Sequence, residues 1–311
     1  VSRHVPPASG QHVGRDIALL DIAQDLLLAH LHEVGVFDVV VFKGGTALRK
    51  HHAGSRGRFS TDLDFALRSV DDTRDTVTEL VAEAADGYVC GPFTFSSTAH
   101  RSRWRIKVEV EPPLDVAPVP PLKLDVGPPC WLEPVVLSFQ PQPIQDRYGG
   151  APPALPTMRL DEVLAEKIAR LTRLSTARDA SDLVWAGRTA GLPYDAALVR
   201  RLAVLKVWVD VNGLDGHWTP AIGPLPFQPE TWLRTGREWD DEQIGLLATP
   251  PPRLDQLEAD MVHLWSALAS LGDSERIWAT ADEGDRSRVI DAIAALPDVT
   301  LTRRQMWAHP A

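Results

Sequence analysis

The spacing of apolar positions changes several times along the chain. In residues 15–34, Ile17, Leu20, Ala23, Gln24, Leu27, Leu28 and Leu31 recur at helical spacing, which predicts a helix. Residues 37–42 form a short apolar run that ends at Gly44 and Gly45, as expected of a buried strand followed by a tight turn, and 46–52 predict the start of a helix. Residues 62–67 predict a second strand, and 71–86 a helix with Asp71 or Asp72 near its cap. Across 101–110 the alternation is strict: Arg101, Arg103, Arg105, Lys107 and Glu109 fall on one face, and Ser102, Trp104, Ile106, Val108 and Val110 on the other. A period of two predicts a half-buried strand. Residues 122–126 and 135–139 predict further strands. Beyond Pro156 helical spacing dominates, in 159–174, 179–190, 195–210, 229–238, 254–270 and 283–296. The expected organisation is a mixed sheet domain over 1–155 and a mostly helical domain over 156–311, joined through a proline-rich connection.

Composition narrows the class. The 311 residues are 44% apolar and 24% charged, enough for a sizeable core in an ordinary soluble chain. The net charge of −10 argues against a general nucleic-acid coat, although local basic patches remain compatible with it. Cys90 and Cys130 form no CxxC pair, so a zinc site is not expected. Two free thiols in a reducing compartment and one disulfide are both compatible with that count. No run of 18 apolar residues exists and the N-terminal stretch has no apolar core between Arg3 and Asp16. No membrane span and no ordinary signal peptide are therefore expected, and the chain is expected in the cytoplasm.

The chemistry concentrates in two segments. In Asp62-Leu63-Asp64-Phe65 the carboxylates at i and i+2 share one strand face while Leu63 and Phe65 face the core. Adjacent carboxylates repel, and hard oxygen donors of this kind suit Mg²⁺ or Mn²⁺, which also bind substrate phosphates. Just before them, Lys43-Gly44-Gly45-Thr46 carries a strand through two glycines into a helix. Such a turn offers backbone N–H groups to a phosphate. A third carboxylate, Asp125, stands among the apolar residues of Leu122–Val126 on the polar face of another strand. It is placed to complete a metal site of Asp62, Asp64 and Asp125 and to help deprotonate an attacking hydroxyl.

The predicted helix 159–174 adds a lysine where none is expected. Lys167 falls within the apolar stripe of Leu160, Val163, Leu164, Ile168 and Leu171, while Glu162, Glu166 and Arg173 fall opposite, toward solvent. A lysine on a buried face needs an anion or must reach out to water. Triphosphate oxygens are one candidate anion; Asp179 and Asp182, at the start of the next predicted helix, are others.

These segments carry a resemblance. Lys43-Gly44-Gly45-Thr46-Ala47-Leu48 and Phe59-Ser60-Thr61-Asp62-Leu63-Asp64-Phe65, with Leu164-Ala165-Glu166-Lys167-Ile168, Arg178-Asp179 and Asp182-Leu183, resemble the motifs of the AbiEii/AbiGii nucleotidyltransferase toxin family, to which mycobacterial toxins of the MenT type belong. The resemblance spans about residues 40–185. It implies an α/β (α+β) polymerase-beta-like nucleotidyltransferase fold in 1–155 followed by the helical domain, a place in a type IV or related toxin–antitoxin system, and a cognate antitoxin. Several family members are thought to add nucleotides to the 3′ end of tRNA. By this resemblance Gly44, Gly45 and Thr46 are the phosphate turn, Asp62 and Asp64 are metal ligands, Lys167 contacts the nucleotide, and Asp179 or Asp182 fills the later acidic motif. Asp125 matches the third carboxylate of the wider superfamily. Where that superfamily has Gly-Ser at the turn this chain has Gly-Gly-Thr, which the AbiEii-like group tolerates.

The implied reaction is attack of an acceptor hydroxyl on the α-phosphorus of a nucleoside triphosphate, with Lys43 and Lys167 stabilising charge and Mg²⁺ or Mn²⁺ as cofactor. For an RNA acceptor, two basic runs offer phosphate contacts: Arg49, Lys50, His51, His52, Arg56 and Arg58, and the stripe from Arg101 to Lys107. Both runs are equally readable as solvated loop and strand faces. The acidic total would suit a small cationic acceptor such as an aminoglycoside instead. A non-enzymatic binding module of the same fold is the third reading, opposed by the three intact carboxylates. Eight tryptophans follow residue 180 and are expected mostly in the core.

Overall fold

The computed structural model describes residues 15–69, 72–100, 103–111, 119–171, 176–212 and 253–300. The chain divides into two compact units, one holding the described residues up to Cys130 together with Pro134–Met158, the other holding Trp131–Glu133 and the described residues from Arg159 onward.

The first unit is built on eight strands in a single mixed sheet. They are β1 (Val40–Lys43), β2 (Asp62–Leu67), β3 (Val89–Cys90), β4 (Phe93–His100), β5 (Arg105–Glu111), β6 (Leu122–Gly127), β7 (Val135–Leu137) and β8 (Leu155–Thr157), in the order β3-β4-β5-β6-β2-β1-β8-β7. The pairs β2/β6 and β1/β8 are parallel; β1/β2, β4/β5, β5/β6 and β7/β8 are antiparallel. One sheet face is apolar. Phe42, Leu63, Phe65, Phe95, Ile106, Val108, Leu122 and Leu124 are fully buried there, in one cluster with Leu20, Leu27, Leu28 and Leu31 of helix α1 (Arg15–Glu33) and with Val77, Val81 and Ala85 of helix α3 (Arg74–Ala85). Each such side chain contributes about 1.5–3 kcal/mol through burial. The opposite face holds the polar members of the same alternation, which is where the candidate chemistry lies.

Several local expectations shift. Residues Val36–Asp38 form a 3-10 turn and β1 begins only at Val40. The short helix α2 (Gly44–Leu48) starts at the first glycine and opens into a wider π-type turn over Arg49–Ala53. Helix α3 is capped by Thr73, whose hydroxyl accepts from the N–H of Thr76, while the expected cap candidate Asp71 lies outside the described residues. Strand β5 begins at Arg105, because Trp104 adopts a left-handed backbone, φ 46°, that a strand interior does not accommodate. Arg103 therefore precedes the strand, and Arg101 lies outside the described residues.

The second unit is helical among its described residues: α4 (Leu160–Leu171), α5 (Ala177–Arg188), α6 (Ala196–Asn212), α7 (Leu254–Trp265), α8 (Asp273–Ala279) and α9 (Arg286–Ala294). Helix α4 packs on α6 and α5 on α7. The expected helix at 229–238 lies outside the described residues. Trp208 and Trp265 are buried, with their indole N–H groups donated to the carbonyls of Ala281 and Leu183, as buried tryptophans require. One expectation fails. Glu162 faces the interior, fully buried, and takes the backbone N–H groups of Trp131 and Leu132 at 2.8 and 3.0 Å and the Lys206 ammonium at 2.9 Å. Helical spacing placed it opposite the stripe, but Lys206 of α6 and the 131–133 segment cover that side too. Cys90 and Cys130 are not joined in a disulfide.

Candidate active site

Strand register assembles the polar face. Asp62 and Asp64 lie on β2, half-buried, on the side away from Leu63 and Phe65. The parallel neighbour β6 sets Asp125 directly beside Asp64 and Lys123 beside Asp62. On the other flank antiparallel β1 sets Lys43 beside Asp64, and antiparallel β5 sets Arg105 beside Asp125. One row across five strands thus reads His100, Arg105, Asp125, Asp64, Lys43. Two adjacent carboxylates about 4.8 Å apart at the backbone repel, and the row places a cation on each side of the pair. Opposite charges on neighbouring strands are the arrangement that stabilises such a face. The Lys43 ammonium reaches Gly127, where an added β-carbon would stand 3.6 Å from its Nζ.

The turn after β1 explains its glycine. Gly44 has φ +81°, and a β-carbon there would lie 2.1 Å from the Asp64 carboxylate oxygen Oδ2. The backbone of Gly44 therefore lies directly against one of the candidate metal ligands, at a position where no side chain fits and left-handed geometry penalises one. Gly45 follows within α2 and is half-buried. Thr46 is fully buried and its hydroxyl donates to the Asp62 carbonyl at 2.5 Å. Its side chain therefore fastens the turn to the start of β2.

Asp125 is held from outside the carboxylate group. Arg105 donates Nε to its Oδ1 at 2.6 Å and Nη2 to its Oδ2 at 2.9 Å, a two-pronged pair suited to the planar guanidinium. The bond to Asp125, and the field of Asp125, Asp62 and Asp64, raise the Arg105 pKa against the opposing effect of burial. Three oxygen donors on one face of neighbouring strands have the chemistry that Mg²⁺ or Mn²⁺ takes. As the side chains stand, no three His, Cys, Asp or Glu groups among the described residues converge closely enough to hold a metal ion, and both oxygens of Asp125 are engaged by Arg105.

The basic run at 49–58 is not the exposed patch expected. Arg49 and Lys50 are buried, and both pair with Asp21 of α1, at 3.2 and 2.7 Å; Lys50 also pairs with Asp25 at 2.6 Å. Arg49 further donates to the carbonyl of Gly57 at 2.7 Å and lies over the Phe59 ring. Asp25 is shared with Tyr148 and Gln145. Burying these charges is tolerable only because each meets an opposite charge and further hydrogen bonds. The linear reading missed this because Asp21 and Asp25 sit on α1 among residues at helical spacing. His51 is buried between Phe42 and Phe139, with Nδ1 3.1 Å from the Ser138 carbonyl. Burial above all, and then the nearby His52 and Lys50 charges, lower its pKa to about 4 against the Ser138 bond. Arg58 is buried as well, leaving Arg56 as the exposed basic residue of this run. In the second stripe, Lys107 pairs with Glu109 at 2.7 Å and both are exposed.

The helical unit gathers its own cluster. Lys167 is buried on α4, with Nζ 3.0 Å from Asp179 and 2.8 Å from Asp182, both on α5. Thr176 caps α5, accepting from the Asp179 N–H and donating its hydroxyl to the Asp179 carboxylate at 2.8 Å. Burial alone would raise the Asp179 pKa, but the charges of Lys167 and Arg170 and these hydrogen bonds hold it well below the usual carboxylate range.

Comparison with known proteins bears on what this face is. The model of a nucleotidyl transferase family, the AbiEii toxin of type IV toxin–antitoxin systems, matches residues 25–261. The chain belongs to the AbiEii nucleotidyltransferase toxin family. Among solved structures, that of MenT4, a nucleotidyltransferase toxin from Mycobacterium tuberculosis H37Rv, is similar at 35% identity and a TM-score of 0.80, covering 95% of this chain and 97% of that one. No curated protein matches. The AbiEii match includes both clusters described above, the carboxylate face of β2 and β6 and the Lys167 group of α4 and α5. The mixed sheet with its following helices is thus a nucleotidyltransferase fold of the MenT kind. Among the described residues no helix is long and apolar enough to cross a membrane.

Proposed function

We propose that this AbiEii-family chain transfers a nucleoside monophosphate from an NTP to an RNA acceptor, the 3′ end of tRNA, and so blocks translation. The observation that carries the reading is the β2/β6 face, where Asp64 stands in register with Asp125, Asp62 lies two residues earlier on β2, and the Gly44 turn is closed against Asp64. Asp62, Asp64 and Asp125 are the residues that would hold Mg²⁺ or Mn²⁺. Such ions supply Lewis acidity toward the phosphoryl oxygens when bound. Gly44 and Gly45 bring backbone N–H groups to the phosphates, and Thr46 holds that turn to Asp62. Lys43 stabilises negative charge on the phosphates beside Asp64. Asp125 orients the acceptor hydroxyl and helps take its proton as that oxygen attacks the α-phosphorus and pyrophosphate departs. Lys167, with Asp179 and Asp182, is the nucleotide-contacting motif of the helical unit. In this reading residues 1–155 carry the transfer chemistry and 156–311 the helical part, the reaction runs in the cytoplasm, and a cognate antitoxin restrains it.

The experiment incubates the purified chain with Mg²⁺, total tRNA and each α-labelled NTP, beside Asp64→Asn. Label entering tRNA with the native chain alone is the expected result. A second reading, transfer to a small cationic acceptor such as an aminoglycoside, draws support from the net charge of −10 and from the burial of Arg49, Lys50 and Arg58. It predicts label on the drug and none on tRNA in the same assay.

A further inference from the structure

The Arg105–Asp125 pair differs from the buried ion pairs of this unit. Lys50 and Asp21 leave 6% and 4% of their side chains exposed, so their pair is part of the interior. Arg105 and Asp125 leave 42% and 35% exposed. Their geometry is better than that exposure requires: two short, parallel hydrogen bonds that occupy both carboxylate oxygens. The backbone that delivers Arg105 is fixed. Trp104 holds its left-handed turn through its carbonyl, which accepts from the Val126 N–H at 2.9 Å, through its indole N–H on Asp75 at 2.8 Å, and through Arg74 packed over its ring. With its backbone held, Arg105 leaves Asp125 by rotating its side chain, which water can then solvate.

We propose that Arg105 is a built-in competitor for the metal site, so that a divalent cation gains Asp125 only by displacing the guanidinium. This rests on the reading of Asp62, Asp64 and Asp125 as the metal ligands. Both oxygens that Asp125 offers a cation are the ones Arg105 holds, so a metal ion drawn to either meets the guanidinium's positive charge beside it. The same residue offsets the negative charge of Asp125 from the side away from Asp64. Arg105 thus raises the concentration of free cation at which the three-carboxylate site fills, and makes filling responsive to whatever else draws the guanidinium away.

The test is Mn²⁺ binding to the full chain, read from the free-ion paramagnetic signal with and without a non-hydrolysable NTP analogue. The chains compared are the native form, Arg105→Gln, Asp125→Asn and the double variant. Arg105→Gln is expected to bind Mn²⁺ about five- to tenfold more tightly. Asp125→Asn is expected to bind more weakly than the native chain, and on that background the gain from Arg105→Gln falls to about twofold, because only the charge remains. If Arg105→Gln does not fold, Arg105→Lys takes its place, since it loses the two-pronged hold and is expected to tighten binding about twofold. Unchanged or weaker Mn²⁺ binding on removing Arg105 overturns the competition while leaving the metal site standing. No Mn²⁺ binding to either the native chain or Arg105→Gln under either condition overturns both the competition and the proposed site.

Discussion

At Gly44 two demands meet: a left-handed backbone and a carboxylate oxygen within 2.1 Å of where a side chain would begin. Gly44→Ala is therefore expected to push Asp64 aside and abolish label transfer, with a modest stability loss of about 1–2 kcal/mol, seen as a lowered melting temperature. The presence of two glycines was legible in the sequence, but their partner was not. A phosphate approach was the expected reason, and the Asp64 carboxylate supplies a second. His51 is the residue to watch as acidity changes. Its folded pKa is depressed from 6.5 to about 4, so the unfolded chain takes up the proton first. The stability it supports is present above pH 6.5 and is lost as pH falls toward 4, at about 1.4 kcal/mol per pH unit at most. Denaturant titrations across that window should show the slope, and His51→Phe should flatten it.

Elements with strong alternation were readable and weakly patterned ones were not. Strand β5 and strand β6 announce themselves through Ile106, Val108, Leu122 and Leu124. In β4 the inward positions run Phe93, Phe95, Ser97, Ala99, so the apolar signal fades halfway, and β8 is three residues with a proline at its centre. Helix α4 was foreseen with Lys167 in its stripe, yet the inward turn of Glu162 was not, since it depends on Lys206, about forty positions further along, and on two backbone N–H groups of the 131–133 segment. Removing that carboxylate would strand two N–H donors and leave the buried Lys206 ammonium with the longer Glu166 contact at 3.4 Å. Glu162→Ala is expected to cost about 3–5 kcal/mol in chemical denaturation, and Glu162→Gln less, because it keeps an acceptor for one N–H.

For the whole molecule, charge and contact pattern set the terms of any encounter with RNA. A net charge of −10 comes with Arg49, Lys50 and Arg58 withdrawn into the interior and Lys107 matched by Glu109, so the two basic runs offer phosphates fewer cations than their sequence suggests. If tRNA is the acceptor, its binding should weaken only gently with salt, with a log–log slope of roughly −2 to −4 rather than the −6 to −9 of a protein making many phosphate contacts. Salt-dependent binding measured with Asp64→Asn, which on the proposed mechanism does not turn over, checks this. The carboxylate face itself was legible from three aspartates and their spacing. The cations on either side of it were not, because Lys43 and Arg105 come from strands on opposite flanks and only register brings them into one row.

The membership of Trp131–Glu133 in the helical unit has a practical meaning for taking the protein apart. Strands β7 and β8 return to the sheet only after the chain has passed through that segment. A fragment ending at Met158 would keep strands β1 to β8 but lose Glu162, which holds the Trp131 and Leu132 N–H groups, and Lys206, which lies over the Trp131 ring. Such a fragment would be sticky rather than autonomous, its loose loop presenting a bare indole between two strands. The gene is therefore a poor candidate for division at this seam, and recombination between family members should succeed more often when the 131–133 segment and helices α4 and α6 are inherited from the same parent.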